Sequence, residues 1–164
     1  MTVSINGWPV PPKELKKFKV PGANRNLVLD KNAGRPLIAL VADYHKTVRA
    51  IDEGPTDEGG YVDRDARAVP GKKSNHASGT AVDINWSEEG AQNSNWGKKF
   101  FNNAANAAKV LVLKQRYGKI IQWGGDWNAK DYMHWEIKPG ISVQDVLDFC
   151  NKKGIDENGV RKGA

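Results

Sequence analysis

Ser74-Asn75-His76-Ala77-Ser78-Gly79-Thr80-Ala81-Val82-Asp83-Ile84-Asn85 and Asp131-Tyr132-Met133-His134-Trp135-Glu136-Ile137 are the two stretches on which the reading of this chain turns. In the first, residues 81–85 alternate small or polar against apolar, the period-two signal of a short strand. Val82 and Ile84 then face a core, while Ala81, Asp83 and Asn85 face the other side. In the second, His134 and Glu136 share one face, and the apolar residues share the other. Two such strands lying side by side present Asp83 and His134 together. His76 is seven residues before Asp83, too far for the i, i+4 spacing of a two-histidine helix face. Gly79 between them adopts backbone angles closed to other residues, so the chain can fold His76 back over the strand.

This constellation holds two of the chain's three histidines. A catalytic zinc ion takes three protein ligands from His, Asp or Glu and leaves a fourth position open for water. His76, Asp83 and His134 supply that three. Asp131, one turn or pleat from His134, is free to act as the base that handles the water's proton. Taken singly, each of these residues reads as a loop histidine or a turn aspartate. Together they point to a metal, because a strand carboxylate is costly to bury unless paired or metal-bound.

The pattern Ser74-x-His76-x-x-Gly79-x-Ala81-x-Asp83, followed by Asp131-x-x-His134-x-Glu136, resembles the signature of the zinc D-alanyl-D-alanine carboxypeptidase and L-alanyl-D-glutamate endopeptidase family. Within that family it is most similar to the peptidase domains of bacteriophage endolysins. Asn6-Gly7-Trp8-Pro9-Val10, Gly60-Tyr61-x-x-Arg64-x-x-Arg67 and Gln122-Trp123-Gly124-Gly125-Asp126 also fit, so the resemblance spans most of the chain. It implies one zinc ion per chain on His76, Asp83 and His134, with Asp131 as base. It also implies an arginine that contacts a substrate carboxylate. Arg64 matches best, and the long basic link Val69-Pro70-Gly71-Lys72-Lys73 leaves Arg67 as the alternative. Ser74, which opens the first motif, is assigned to the substrate side with them. The implied fold is α+β, a small antiparallel sheet flanked by helices with a zinc cleft, as in the hedgehog and D-Ala-D-Ala peptidases. The implied activity is hydrolysis of the peptidoglycan stem peptide by an endolysin. The alternatives are a D,D-carboxypeptidase that trims stems and a non-catalytic zinc-containing wall-binding module.

The rest of the chain is read as one domain over 1–164, ordinary in length for a single core. An apolar content of 39% and six tryptophans exclude a disordered chain. No apolar run approaches a membrane span, and the opening residues lack the basic start and apolar block of an export signal. The expectation is a protein held in the host cytoplasm until release onto the wall, acting as a monomer. Cys150 is the single cysteine, read as a small core residue. The net charge of +6 permits anionic partners, but the lysines form no helix stripe with stacking aromatics, so nucleic acid is not expected.

Residues 1–30 read as an irregular opening segment. A helix is expected over 35–52, with His45 exposed off its apolar stripe. A loop-rich cleft rim is expected over 53–73. A second helix runs over 96–117, with Phe100, Phe101, Ala104, Ala108, Leu111 and Val112 inward. A strand follows over 119–123, and Ser142 caps a final helix. Residues 154–164 read as a frayed tail. Trp123, Trp127 and Trp135 read as wall packing rather than sugar platforms, with room for one of them to line the cleft, and Glu136 as an acid that orients a ligand histidine.

Overall fold

The computed structural model describes residues 2–163. The two motif stretches lie in an antiparallel sheet of three short strands: β3 (Ala81–Asp83), β4 (Ile121–Trp123) and β5 (His134–Ile137). β5 is central, with β3 on one side and β4 on the other. The register sets Asp83 opposite His134 and both Ala81 and Gln122 opposite Glu136. Cross-strand partners share a face, so Asp83, His134, Glu136 and Gln122 form one polar face. Val82, Trp135 and Trp123 form the other, and Val82 and Trp135 are at most 1% exposed. The α+β expectation and the side-by-side placement of the two motif strands both hold.

The opening segment is more ordered than its prolines and lysines imply. Strands β1 (Leu15–Lys19) and β2 (Asn26–Asp30) pair as a hairpin. In Leu15-Lys16-Lys17-Phe18-Lys19 only Phe18 is fully buried, so the alternation that marks a strand is hidden by solvated lysine stems. The hairpin lies over helix α1 (Gly34–Thr47), whose Leu37, Ile38, Leu40, Val41 and Tyr44 are fully buried. α1 ends before the expected boundary. His45 is not exposed: its side chain is 18% accessible, and Nδ1 accepts the Ile51 N–H at 3.1 Å, closing the turn after the helix.

The long helix expected over 96–117 is two. After the four-residue α2 (Trp86–Glu89) come α3 (Asn95–Asn102) and α4 (Ala104–Tyr117). Asn103 leaves the helical conformation, and its Oδ1 accepts the N–H groups of Ala105 and Asn106 at 3.0 and 3.2 Å. Asparagine is among the best N-caps, and the break resets the helical phase. Val110, Leu113 and Tyr117 therefore turn inward, while Ala104, Ala108, Leu111 and Val112 lie on the exposed side. Helix α5 (Val143–Lys153) begins at its Ser142 cap, as its sequence predicts, and the structure adds a capping box with Asp145; the helix buries Val146, Phe149 and Cys150.

The residues expected to fray after Gly154 instead fold onto α1. Ile155 is 2% exposed and forms a bridge with Arg161. The Arg35 guanidinium donates to the carbonyls of Ile155 and Asp156. Buried Asp43 accepts from Tyr117 Oη at 2.6 Å, Arg116 at 2.9 Å and Arg161 at 3.2 Å. One carboxylate thus joins α1, α4 and the tail. Asp43→Ala leaves the buried Tyr117 hydroxyl without its acceptor and is expected to destabilise the fold by about 1–3 kcal/mol, measured by urea unfolding. Among the described residues no helix is long and apolar enough to cross a membrane.

Candidate metal centre

His76 sits on a 3-10 turn, Asn75–Ser78, capped by Ser74, whose Oγ accepts the His76 N–H at 3.2 Å. Gly79 ends the turn at φ +69°, and a Cβ there would lie 2.5 Å from the Asp30 backbone nitrogen. The turn is thus wedged against the hairpin, and only glycine fits its end. His76 Nδ1 lies 2.7 Å from the Gly60 carbonyl oxygen, which accepts from it as Nδ1–H. That contact fixes the tautomer and leaves Nε2 facing Asp83.

Asp83 stands between the two histidines. Its Oδ2 is 3.0 Å from His76 Nε2, and its Oδ1 is 2.9 Å from His134 Nδ1. The imidazole centroids are 5.0 Å apart, and one ligand atom from each residue lies within 4.8 Å of the others. His134 Nε2 is turned away, 2.5 Å from Glu136 Oε1. The three inward atoms are therefore His76 Nε2, an Asp83 oxygen and His134 Nδ1.

At these residues burial and close opposite charges act against one another. Burial opposes ionisation of Asp83, yet the imidazoles of His134 and His76 beside it hold its carboxyl far below the usual range. Burial likewise opposes charge on His134, but Asp83 and Glu136 on either side raise its pKa to about 10. The residues fit a divalent cation by two further signs. His76 Nε2 is buried without a hydrogen bond, because Asp83 Oδ2 is near enough but outside bonding angles. The donor set, two imidazole nitrogens and a carboxylate oxygen, is that of a catalytic zinc site.

Asp83 and His134 line a cleft of about 470 Å³, with His76 directly behind Asp83, and the same cleft exposes Arg64, Arg67, Ser74, Trp127 and Asp131. Asp131 opens the turn that leads to His134, its carbonyl accepting the His134 N–H at 3.3 Å. Gly124 lets that turn approach: a Cβ there would meet the Asp131 carbonyl oxygen at 2.3 Å. Asp131 Oδ1 is buried with no partner. Burial lifts the Asp131 carboxyl above its ordinary range, against the pull of His134.

Both arginines line the same wall. Asp63 and Asp65, the obvious partners for Arg64, are taken by Lys73 at 2.9 and 3.7 Å. Arg64 itself donates to the Asp65 carbonyl at 3.2 Å. The charge of Arg67 adds a small downward pull on the Asp131 carboxyl, which burial raises overall. Trp127, read from sequence as wall packing, lies 5.3 Å from the His134 ring and lines the cleft. Asn75 and Gln122, which hold Glu136 at 2.8 and 2.9 Å, were missed as site residues. The signal for both was positional: Asn75 precedes the first histidine, and Gln122 falls opposite Glu136 once the strands are paired. His45 belongs neither to the ligand cluster nor to the cleft lining.

Residues 67–137 match a protein-family model described as D-alanyl-D-alanine carboxypeptidase, and the matched stretch contains His76, Asp83, Asp131 and His134. The chain is similar to that peptidase family over this stretch. No curated protein and no solved structure matches the chain.

Proposed function

We propose that this chain is a zinc peptidase of the peptidoglycan stem peptide, with His76, Asp83 and His134 as the ligands of one zinc ion and Asp131 as the catalytic base. The observation that carries this is the convergence of three buried ligand atoms within 4.8 Å, beside the partnerless Oδ1 of Asp131. A zinc ion held there supplies a Lewis acid for the scissile carbonyl and lowers the pKa of a bound water. Asp131 takes a proton from the attacking water as its oxygen bonds to the carbonyl carbon. It then passes that proton to the departing amine nitrogen as the C–N bond breaks. The raised pKa of Asp131 makes it the stronger proton acceptor for this role. Ser74 caps the turn that carries His76 and reaches the cleft, where it contacts bound substrate.

The cleft wall offers two guanidinium groups to a substrate carboxylate, a pairing suited to arginine's planar fork. Sequence favours Arg64. Arg64 is engaged with its own loop at Asp65, whereas the Arg67 side chain has no hydrogen bond or ion pair among the described residues, so we favour Arg67 as the anchor. Arg67→Ala is expected to lower kcat/KM by about 30-fold or more, with zinc content and Tm unchanged, and Arg64→Ala to do much less. Steady-state kinetics on a stem-peptide substrate decide between them, and a reversed order assigns the anchor to Arg64.

The endolysin-like motifs support cleavage within the stem, at the L-alanyl-D-glutamate bond or one nearby, by an enzyme that lyses cells once it reaches their wall. The description of the matching family favours a second reading, removal of the terminal D-alanine. A turbidity assay on Gram-positive or outer-membrane-stripped cells tests the choice. Clearing that a chelator stops supports the endopeptidase. Loss of D-alanine without clearing supports the carboxypeptidase. Neither effect from zinc-loaded protein would leave a binding module.

A further inference from the structure

The network behind His134 has an order that the proposed chemistry does not require and the ligand residues do not explain. The turn at Ser4–Trp8 is closed by a Ser4 N–H to Trp8 carbonyl bond of 2.9 Å. From its middle, the Asn6 backbone N–H donates to Asn75 Oδ1 at 2.9 Å. The Asn6 side chain is itself fixed, donating to Thr80 Oγ1 and to the Ile137 carbonyl at 2.8 and 2.9 Å. A backbone N–H can only donate, so it dictates which end of the Asn75 amide is oxygen. The other end, Nδ2, therefore faces Glu136 and donates to Oε2 at 2.8 Å. Gln122 Nε2 donates to the same oxygen at 2.9 Å. With Oε2 occupied, Oε1 is left to accept from His134 Nε2. An imidazole that carries its proton on Nε2 offers a lone pair only on Nδ1. Asn75, Glu136 and Asn6 are each at most 5% exposed, so water cannot replace these bonds.

We propose that Asn75 is a positioning residue for the metal centre: oriented by the Ser4–Trp8 turn, it sets Glu136 so that His134 presents Nδ1 to the ion. This rests on the metal reading above. It adds that a turn about seventy residues from the nearest ligand in sequence selects which nitrogen of His134 binds. Carboxylate partners of ligand histidines fix tautomer and ring orientation, and losing such a partner typically weakens metal binding 10–100-fold.

The test uses Asn75→Asp, which can still accept from the Asn6 N–H but no longer donates to Glu136. Zinc affinity is measured by chelator competition. The full chain, labelled with ¹⁵N and loaded with ¹¹³Cd alone, is read by NMR for cadmium–nitrogen coupling. Wild type is expected to couple cadmium to His134 Nδ1 and His76 Nε2. Asn75→Asp is expected to bind zinc about 10–100-fold more weakly, with the His134 Nδ1 coupling lost or divided between the two ring nitrogens and that of His76 retained. Wild-type affinity with an unchanged His134 signature would overturn the proposal. So would weaker binding with that signature intact, since it would mean only a looser fold. If Asn75→Asp does not fold, Glu136→Gln takes its place. Its amide must set a donor against Asn75 and Gln122 or against His134, and the same two readouts apply. A wild-type chain whose histidines show no coupling to cadmium contradicts the metal reading itself, whatever the variants do.

Discussion

Asp83→Ala is expected to leave the purified chain without bound zinc. Asp83 is the residue both histidines face, with one oxygen toward each. Its loss removes a third of the protein ligands and the only negative charge between two imidazoles. His76→Ala and His134→Ala are expected to do the same by removing one nitrogen each. A ligand that binds only the folded state stabilises it by about 4 kcal/mol at a thousandfold excess over Kd. Added zinc should therefore raise the Tm of wild type and leave that of Asp83→Ala unmoved. Elemental analysis checks the first expectation and a thermal melt the second. About one zinc per chain in all three variants would remove these residues from the ligand set.

Asp131→Asn is expected to keep the zinc and lose the reaction. The substitution preserves shape and replaces the buried, partnerless Oδ1 with a group that cannot take a proton. General acid–base catalysis contributes about 10²–10⁴-fold, so kcat should fall by about that factor while zinc content and Tm stay at wild-type values. His45→Ala, outside the ligand cluster and the cleft lining, should change neither rate nor metal. Wild-type turnover in Asp131→Asn would move the role to another carboxylate. Glu136 is the nearest alternative, but its two oxygens already accept from three side chains. That leaves it poorly placed to shuttle a proton.

The heart of this site could be read before any coordinates, because strand alternation and ligand chemistry coincide there. In Ala81-Val82-Asp83 and His134-Trp135-Glu136 the apolar residues name the buried face, and the ligands follow on the other. Pairing the strands then sets Asp83 opposite His134. What stayed hidden depends on contacts distant in sequence. The β1 strand shows one buried apolar residue among lysines, and its pairing with β2 is fixed by packing on α1. The helix break at Asn103 turns on one side-chain cap, which outweighs a continuous apolar period and rotates Leu111 and Val112 outward. The tail looks polar, yet Asp43 holds it from more than a hundred residues away. The Asn6–Asn75–Glu136 chain is a matter of hydrogen-bond direction, which no spacing rule encodes.

The most direct test of the account is mass spectrometry of peptidoglycan fragments after digestion with the zinc-loaded chain. The account predicts new fragments produced by hydrolysis of a bond in the stem peptide, with the glycan chains uncut. These fragments should vanish with a chelator, return with added zinc, and be absent with Asp131→Asn. Stem peptides left intact by a chain that carries its zinc would contradict it, as would cleavage that persists in Asp83→Ala.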